Sequence, residues 1–176
     1  MRLFIAVQLS KEMISYLSSM QKSFRPLISG VFTNEFHLTL KFLGEVSQEK
    51  AAETVNRLKE VSFNRFDAEL THIGTFPNNK KHARVLWVGL SPEEIITHLH
   101  LAVEKELKGL FDKDFNFNPH ITIARVKGVK NKAAFEKLTS SPVKNLKVNI
   151  NRFCLMKSEL SKDGAVHTVL NEFDLN

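Results

Sequence analysis

Apolar positions in the first part of the chain follow two spacings. A nearly continuous apolar run over residues 2–7 predicts a buried strand. Apolar side chains then recur three or four positions apart, which is the spacing of a helix with one buried face. They are Met13, Leu17, Met20 and Phe24. The pattern therefore predicts a strand followed by an amphipathic helix.

The same order returns in the second part of the chain. Residues 84–88 form another short apolar run and predict a strand. A helix is predicted to start directly afterwards, with Ser91 as N-cap, Pro92 at the first helical position and Glu94 completing a capping box. Its apolar face continues through Ile95, Leu99, Val103 and Leu107.

Each half then contains a short alternating segment that begins with a histidine. These segments are His37-Leu38-Thr39-Leu40 and His120-Ile121-Thr122-Ile123. In both halves, about 35 residues separate the start of the opening strand from the histidine. Such agreement favours an internal duplication. The remaining predicted elements are helices at 48–61 and 132–138 and strands at 66–76, 146–156 and 165–173.

Two strand-helix-strand-helix-strand units predict an α+β fold. We expect two pseudo-symmetric lobes, each a small sheet covered by helices, that face each other across a central cleft. No Gly/Ser-rich linker or long charge block interrupts the chain. The prediction is therefore one bilobal domain over 1–176, with approximate repeats at 1–80 and 81–176.

Side chains on a strand alternate between its two faces, which separates polar from apolar residues in both histidine segments. In the first segment, Leu38, Leu40 and Phe42 are assigned to the core, and the opposite face carries His37, Thr39 and Lys41. In the second, Ile121 and Ile123 are assigned to the core, and His120, Thr122 and Ala124 share the other face. Each predicted cleft face carries one histidine and one threonine.

Paired histidines suit the cleavage of a phosphodiester. Histidine titrates near neutral pH, so one imidazole can activate a nucleophile while the other protonates the departing oxygen. Hydroxyl groups and cations such as Lys41 can hold the phosphoryl oxygens. We therefore predict that His37 and His120 form an acid/base pair.

Two simpler interpretations compete with this one. A single His-x-Thr segment is usually a hydrogen-bonded surface pair, but strand propensity does not explain its recurrence at equivalent places. Histidine is also a common zinc ligand, yet no Cys pair, His-x-x-x-His or carboxylate cluster accompanies either segment. We expect neither a metal nor another cofactor.

Composition agrees with a soluble domain that attracts polyanions. The 176 residues include 25 Lys and Arg against 19 Asp and Glu, which gives a net charge of +6. The one cysteine, Cys154, lies in an apolar run and fits a reducing cytoplasm. The apolar run at the N-terminus is too short to span a membrane. We expect a cytoplasmic monomer.

The sequence resembles the two-histidine phosphoesterases, and within them the bacterial and archaeal RNA 2′,3′-cyclic phosphodiesterases, also called 2′-5′ RNA ligases. The resemblance covers nearly the whole chain, and the paired His-x-Thr-x blocks are its specific part. The matching segments are Arg2-Leu3-Phe4-Ile5-Ala6, residues 36–46, Gly74-Thr75-Phe76-Pro77, Arg84-Val85-Leu86-Trp87, residues 119–125, and Ser158-Glu159-Leu160-Ser161 ahead of Gly164.

The resemblance implies a bilobal fold and hydrolysis of RNA 2′,3′-cyclic phosphate ends to 2′-phosphates without a metal. His37 would be the proton donor to the departing 3′ oxygen, and His120 would be the proton acceptor that activates water. Thr39, Thr122 and Arg125 would hold the phosphate. Strict alternation puts Arg125 on the core face, so its role requires the strand to end or bulge nearby. The resemblance also places His167 where relatives often have an aromatic residue.

Other functions remain open from sequence alone. The chain could be a non-catalytic RNA-binding module, or its substrate could be a small cyclic nucleotide or sugar phosphate. Ligation through a 2′-5′ linkage is the reverse of the same chemistry, and sequence does not decide the direction.

Histidines, phenylalanines and basic residues also occur outside the two motifs. His72, His82, His98 and His100 are interpreted mainly as surface or hydrogen-bonded histidines. The 14 phenylalanines fall mostly at core positions and do not predict a base-stacking surface. Basic residues that flank the motif lobes are candidates for tracking an RNA backbone; they are Lys80, Lys81, His82, Lys127, Lys130 and Lys132.

Overall fold

The computed structural model of the protein describes residues 1–78, 82–161 and 164–176. These residues form nine strands and four helices. In chain order they are β1 (Arg2–Gln8), α1 (Lys11–Phe24), β2 (Ile28–Phe32), β3 (His37–Glu45), α2 (Gln48–Leu58), β4 (Phe66–Phe76), β5 (Val85–Ser91), α3 (Glu93–Glu106), β6 (His120–Val129), α4 (Lys132–Thr139), β7 (Lys147–Ile150), β8 (Arg152–Ser161) and β9 (Gly164–Asp174).

The strands form one curled sheet in the order β7-β4-β5-β6-β3-β1-β8-β9, with β2 paired to β6. Its centre is narrow, because β3 and β6 share a single residue pair, Leu38 with Ile121. The sheet therefore consists of two strand groups joined at the two histidine strands. This arrangement confirms the predicted α+β fold with two lobes.

The helices cover one face of this sheet. Their buried side chains, including Leu17, Leu99 and Phe135, belong to one large apolar cluster with Leu3 and Ile5 of β1. Among the described residues, the opposite face of β1 and β8 carries a small apolar cluster formed by Phe4, Ala6, Cys154 and Met156. The face opposite the helices is thus left largely available for a site.

The lobes do not coincide with the two sequence halves. β4 belongs to the first half but pairs with β5, and β8 belongs to the second half but pairs with β1. Each half therefore contributes its later long strand to the sheet of the other. The strand order has the same form on both sides of the β3–β6 junction, which supports the internal duplication; the repeats at 1–80 and 81–176 remain a prediction.

Three of the four helices begin at a polar N-cap. The side chains of Ser10, Ser47 and Asn131 accept hydrogen bonds from the backbone N–H groups of Met13, Lys50 and Ala134. The predicted N-cap at Ser91 is wrong, because that residue still pairs with Glu69 at the end of β5. Pro92 is the N-cap of α3 and makes no side-chain cap hydrogen bond.

Two further differences concern strands. The predicted strand over 146–156 is divided into β7 and β8, which pair with β4 and β1 respectively. β2 was not predicted; it pairs with the end of β6 beyond the histidine. Among the helices in the described part of the chain, none combines the length and apolar character needed to cross a bilayer.

Candidate active site

The two histidine strands bring their polar residues to one surface. β3 and β6 run antiparallel, and Leu38 pairs with Ile121. Continued by one residue in each direction, this register gives two facing pairs, His37 with Thr122 and Thr39 with His120. All four side chains are partly buried, whereas Leu38 and Ile121 are fully buried on the helical side.

The two histidines are therefore diagonal neighbours across the junction. Diagonal positions of an antiparallel pair lie about 7–8 Å apart. A phosphate group can occupy the space between two imidazoles at this separation. Burial, the charge of His167 and then the charge of His120 lower the pKa of His37, and the last of these is consistent with the closeness of the two imidazoles.

Both strands contain a β-bulge directly after the threonine. Ala6 pairs with Thr39 but Ile5 pairs with Lys41, so Leu40 is an extra residue in β3. In β6, Ile123 is extra in the same way, because Trp87 pairs with Thr122 and Leu86 pairs with Ala124. A bulge reverses the side-chain alternation that follows it.

The bulge in β6 places Arg125 on the same side as His120 and Thr122. Ile123 and Ala124 are both buried, and Arg125 is exposed. The strand therefore has the bulge that a phosphate-binding role for Arg125 requires. Ala124, in contrast, was predicted to face the cleft and lies in the core.

The bulge in β3 corrects the placement of Lys41 and Phe42. Lys41 does not share the surface of His37 and Thr39, because its side chain is only 1% exposed on the helical side. Its Nζ lies 2.6 Å from Glu104 Oε1 and donates a hydrogen bond to the carbonyl oxygen of Asp112 at 2.7 Å. Phe42, predicted to be core, is 63% exposed.

His120 has a defined tautomer. Its Nδ1 lies 2.7 Å from the carbonyl oxygen of Asn118, and a carbonyl can only accept, so Nδ1 carries the hydrogen. In the neutral imidazole, Nε2 then holds the lone pair. Burial lowers the pKa of His120, the hydrogen bond to Asn118 raises it, and the charge of Arg125 lowers it.

His37 lies in a more enclosed position. Its ring centroid is 5.0 Å from that of Phe4 and 5.2 Å from that of His167. Burial lowers the pKa of His37 to about 4, with further lowering by His167 and His120. Both predicted catalytic imidazoles are therefore neutral at pH 7 in the free protein.

His167 is a third histidine of the site. It comes from β9, where it pairs with Ser158, and its backbone N–H donates to Glu35 Oε1 at 3.3 Å. Burial lowers the pKa of His167, and Glu35 opposes this effect. Its Nδ1 is buried and has no hydrogen-bond partner among the described residues. In the sequence, only the resemblance to the two-histidine phosphoesterases pointed to His167.

Aromatic residues of its own lobe enclose His120. The ring centroids of Phe76 and Trp87 lie 5.0 Å and 6.2 Å from that of His120. Trp87 lies over Gly74, where an added Cβ would come within 2.2 Å of the indole ring. The ring centroid of His72 lies 5.2 Å from that of Trp87. Trp87 and Phe76 belonged to the matching segments, but alternation alone gave them no role.

The other basic and histidine candidates are dispersed. Lys80 and Lys81 lie outside the described residues. His100 is buried, and its Nδ1 lies 2.8 Å from the carbonyl oxygen of Leu40, whereas His98 is exposed. The remaining predicted phosphate-tracking residues are exposed; they are His82, Lys127, Lys130 and Lys132. No group of three or more His, Cys, Asp or Glu side chains within the described ranges is arranged to hold a metal ion.

Known sequences resemble this chain over most of its length. The profile of the 2′-5′ RNA ligase superfamily matches residues 32–162. An RNA 2′,3′-cyclic phosphodiesterase of Methanocaldococcus jannaschii is 32% identical, with 98% of this chain and 100% of the relative covered. One of Aquifex aeolicus is 31% identical, with 99% and 97% covered.

Solved structures share the fold. The crystal structure of TT0787 of Thermus thermophilus has a TM-score of 0.80 at 31% identity, with 99% of this chain and 97% of that chain covered. The crystal structure of E. coli LigT complexed with 3′-AMP has a TM-score of 0.81 at 27% identity, with the same coverage.

Proposed function

Because the chain belongs to the 2′-5′ RNA ligase superfamily, we propose that it hydrolyses the 2′,3′-cyclic phosphate ends of RNA to 2′-phosphates. The observation that carries the proposal is the diagonal placement of His37 and His120 on one surface, each facing a threonine. Relatives that match over 97–100% of their length bear the name of this activity.

His120 is the proton acceptor in this proposal. Its Nδ1–H is held by Asn118, so the free Nε2 can take a proton from water. The water oxygen then forms a bond to phosphorus, and the bond between phosphorus and the 3′ oxygen breaks. Arg125 disfavours the charged imidazole of His120, which keeps the lone pair available before the reaction.

His37 is the proton donor to the departing 3′ oxygen. Its low pKa means that it must gain a proton as the substrate binds. The negative charge of the cyclic phosphate favours that protonation, since a nearby opposite charge stabilises the imidazolium. The proton count then balances: His120 gains one proton and His37 loses one.

The phosphate is held by groups on the same surface. The hydroxyls of Thr39 and Thr122 face the two imidazoles across the junction. Arg125 follows on the same side after the bulge and can bind two phosphoryl oxygens at once. These groups stabilise the charge that develops on the nonbridging oxygens. Lys41 is not part of the proposed phosphate site.

The decisive experiment follows the product by phosphorus NMR. An oligonucleotide ending in a 2′,3′-cyclic phosphate is incubated with the native protein and with His37→Ala, His120→Ala and His98→Ala variants. We expect a 2′-phosphate from the native protein and from the His98 variant, whose histidine is exposed on α3. Loss of either cleft imidazole is expected to lower the rate by about 10²- to 10⁴-fold.

Four outcomes would contradict the proposal. A 3′-phosphate product would reverse the assignment of the leaving oxygen. Full activity without both imidazoles would remove the mechanism. Binding of RNA without turnover would identify an RNA-binding module. Stronger competition by a small cyclic nucleotide than by RNA ends would change the substrate class.

Reverse reaction and cellular setting are finer parts of the proposal. The same groups can join a 5′-hydroxyl to a cyclic phosphate, because that hydroxyl can take the place of water, give its proton to His120 and displace the 3′ oxygen that His37 protonates, so 2′-5′ ligation is proposed as a secondary activity. A cytoplasmic location and a monomeric state remain predictions.

A further inference from the structure

We propose that residues 112–118, the segment leading into β6, form a nucleobase pocket in which Phe115 stacks on the base of the nucleotide that carries the cyclic phosphate. This segment is called the 112–118 loop below. The inference rests on the proposed function, because it names the substrate group that lies beside the reacting phosphate.

A cavity connects the loop with the proposed reaction site. Its volume is about 390 Å³, within the range of about 300–1,000 Å³ that is usual for small-molecule sites. Thr39 and His120 line one part of it, and Phe42, Phe115 and Asn116 line another. A nucleotide with its phosphate at His120 therefore has its sugar and base within reach of the loop.

Two exposed aromatic rings border this cavity. Phe115 is 84% exposed and Phe42 is 63% exposed. A single exposed phenylalanine is ordinary on a protein surface. Two such rings on one cavity that also contains a proposed catalytic imidazole form a stacking surface for a planar ring, since every base presents a π-face.

Charge in the cavity favours the base over the phosphate. Lys41 is engaged by Glu104 and lies 3.5 Å from Asp114 Oδ2. The Lys113 ammonium lies over the ring of Phe115, 5.8 Å from its centroid. Arg125, at the end of the junction opposite Phe42, is the cation that the described part of this surface offers to a phosphate. The amide of Asn116 can both donate to and accept from a base edge.

The loop is anchored at both ends. The carbonyl oxygen of Asp112 accepts from Lys41 Nζ, and the backbone N–H of Asp114 donates to Glu104 Oε1 at 3.3 Å. Phe117 stacks on the buried ring of His100 with centroids 4.0 Å apart and planes inclined by 2°. Phe115 thus projects from a fixed support, which lowers the entropy cost of binding a base.

The test compares base-containing and base-free ligands on Phe115→Ala, Phe115→Trp and Leu101→Ala variants. Leu101 is the matched control, because it is an exposed apolar residue on α3. Calorimetry measures the Kd of adenosine 2′-monophosphate and of inorganic phosphate. Hydrolysis of adenosine 2′,3′-cyclic phosphate gives kcat and KM.

We expect Phe115→Ala to weaken adenosine 2′-monophosphate by about 5- to 150-fold, which corresponds to the loss of one base-stacking contact. In Phe115→Ala, the affinity for phosphate and kcat should change by less than about twofold. Phe115→Trp and Leu101→Ala should bind adenosine 2′-monophosphate with a Kd no more than about twofold above that of the native protein.

An unchanged Kd for adenosine 2′-monophosphate in Phe115→Ala would overturn the inference, and so would an equal loss of phosphate affinity. Failure of the proposed function is a separate result, because it appears as absence of hydrolysis by the native protein. The binding comparison does not require turnover.

Discussion

Lys41 and Glu104 are expected to stabilise the fold as a buried ion pair. Their side chains are 1% and 7% exposed, and Lys41 Nζ lies 2.6 Å from Glu104 Oε1. We predict that Lys41→Met and Glu104→Leu each lower the free energy of unfolding by about 3–5 kcal/mol, because each leaves one buried charge without its partner. That loss is a large part of the roughly 5–15 kcal/mol that holds a domain folded.

The double variant separates pairing from burial. Replacing both charges with apolar groups of similar volume is often neutral, so Lys41→Met/Glu104→Leu should be more stable than either single variant by at least about 2 kcal/mol. Asp114 also loses Lys41, but its carboxylate is 46% exposed and can be hydrated. The double variant further removes the hydrogen bonds to the Asp112 carbonyl and from the Asp114 N–H, and water can replace them because both residues are exposed. The remaining cost is therefore expected to be small.

Urea unfolding at pH 7.5 gives the four free energies of the cycle. The matched control is Glu53 and Arg57, whose charged groups also approach to 2.7 Å but are 50% and 41% exposed. That pair on α2 should contribute only about 0.3–0.5 kcal/mol. Comparing the two ion pairs tests the effect of burial on their contribution to stability, because their N–O distances are nearly equal.

Two results would refute this reasoning. A Lys41→Met variant within about 1 kcal/mol of the native protein would show that the ammonium is not enclosed. Normal stability with a large increase in KM would return Lys41 to the phosphate-binding role that strand alternation predicted. A loss of stability together with weaker nucleotide binding would agree with its anchoring of the 112–118 loop.

Three further predictions follow from the site and its surroundings. Folding lowers the pKa of His37 from 6.5 to about 4, so the unfolded chain binds more protons than the folded one between these pH values. Acidification from pH 7.5 to 4.5 should therefore lower the free energy of unfolding of the native protein by about 2 kcal/mol more than that of His37→Gln. Urea unfolding at the two pH values measures this difference. Arg125→Gln should lower kcat/KM by about 10- to 150-fold in a steady-state assay, as expected for losing hydrogen bonds to a charged group, whereas Lys137→Gln on α4 should not change it. Burial raises the pKa of Cys154 to about 11, so iodoacetamide at pH 8 should alkylate the native thiol at least about 100-fold more slowly than the urea-unfolded one, as followed by mass spectrometry; equal rates would show an accessible thiolate.

Alternation predicted the two histidine strands but not the positions after their bulges. It correctly separated His37 and Thr39 from Leu38, because the pleat is regular there. The extra residue arises from pairing with β1 and β5, which a single segment does not reveal. The sequence nevertheless contained a signal for the second bulge. A phosphate role for Arg125, five positions after His120, requires a bulge in its strand. Because the two histidine strands are predicted duplicates, an equivalent bulge is then expected before Phe42, five positions after His37.

Long-range pairing accounts for the rest of what sequence reasoning missed. The exchange of β4 and β8 between lobes depends on contacts between distant strands, and local patterns are compatible with several strand orders. His167 reaches His37 only because β9 adds to β8 beside β1. Hydrophobic periodicity identifies such strands without identifying their neighbours.

The bulges also give the two similar strands different capacities. At the fifth position after the histidine, β6 presents Arg125 and β3 presents Phe42, and both side chains are exposed. A cation on one side and an aromatic ring on the other favour one orientation of a nucleotide, with its phosphate toward Arg125 and its base toward Phe42. The register of the junction places His120 and Thr39 on the side of Phe42, and the charge of Arg125 still disfavours the charged form of His120, as a proton acceptor requires. His37 lies on the side of Arg125 and the bound phosphate, whose negative charge can supply the stabilisation that the buried imidazolium of His37 lacks in the free protein.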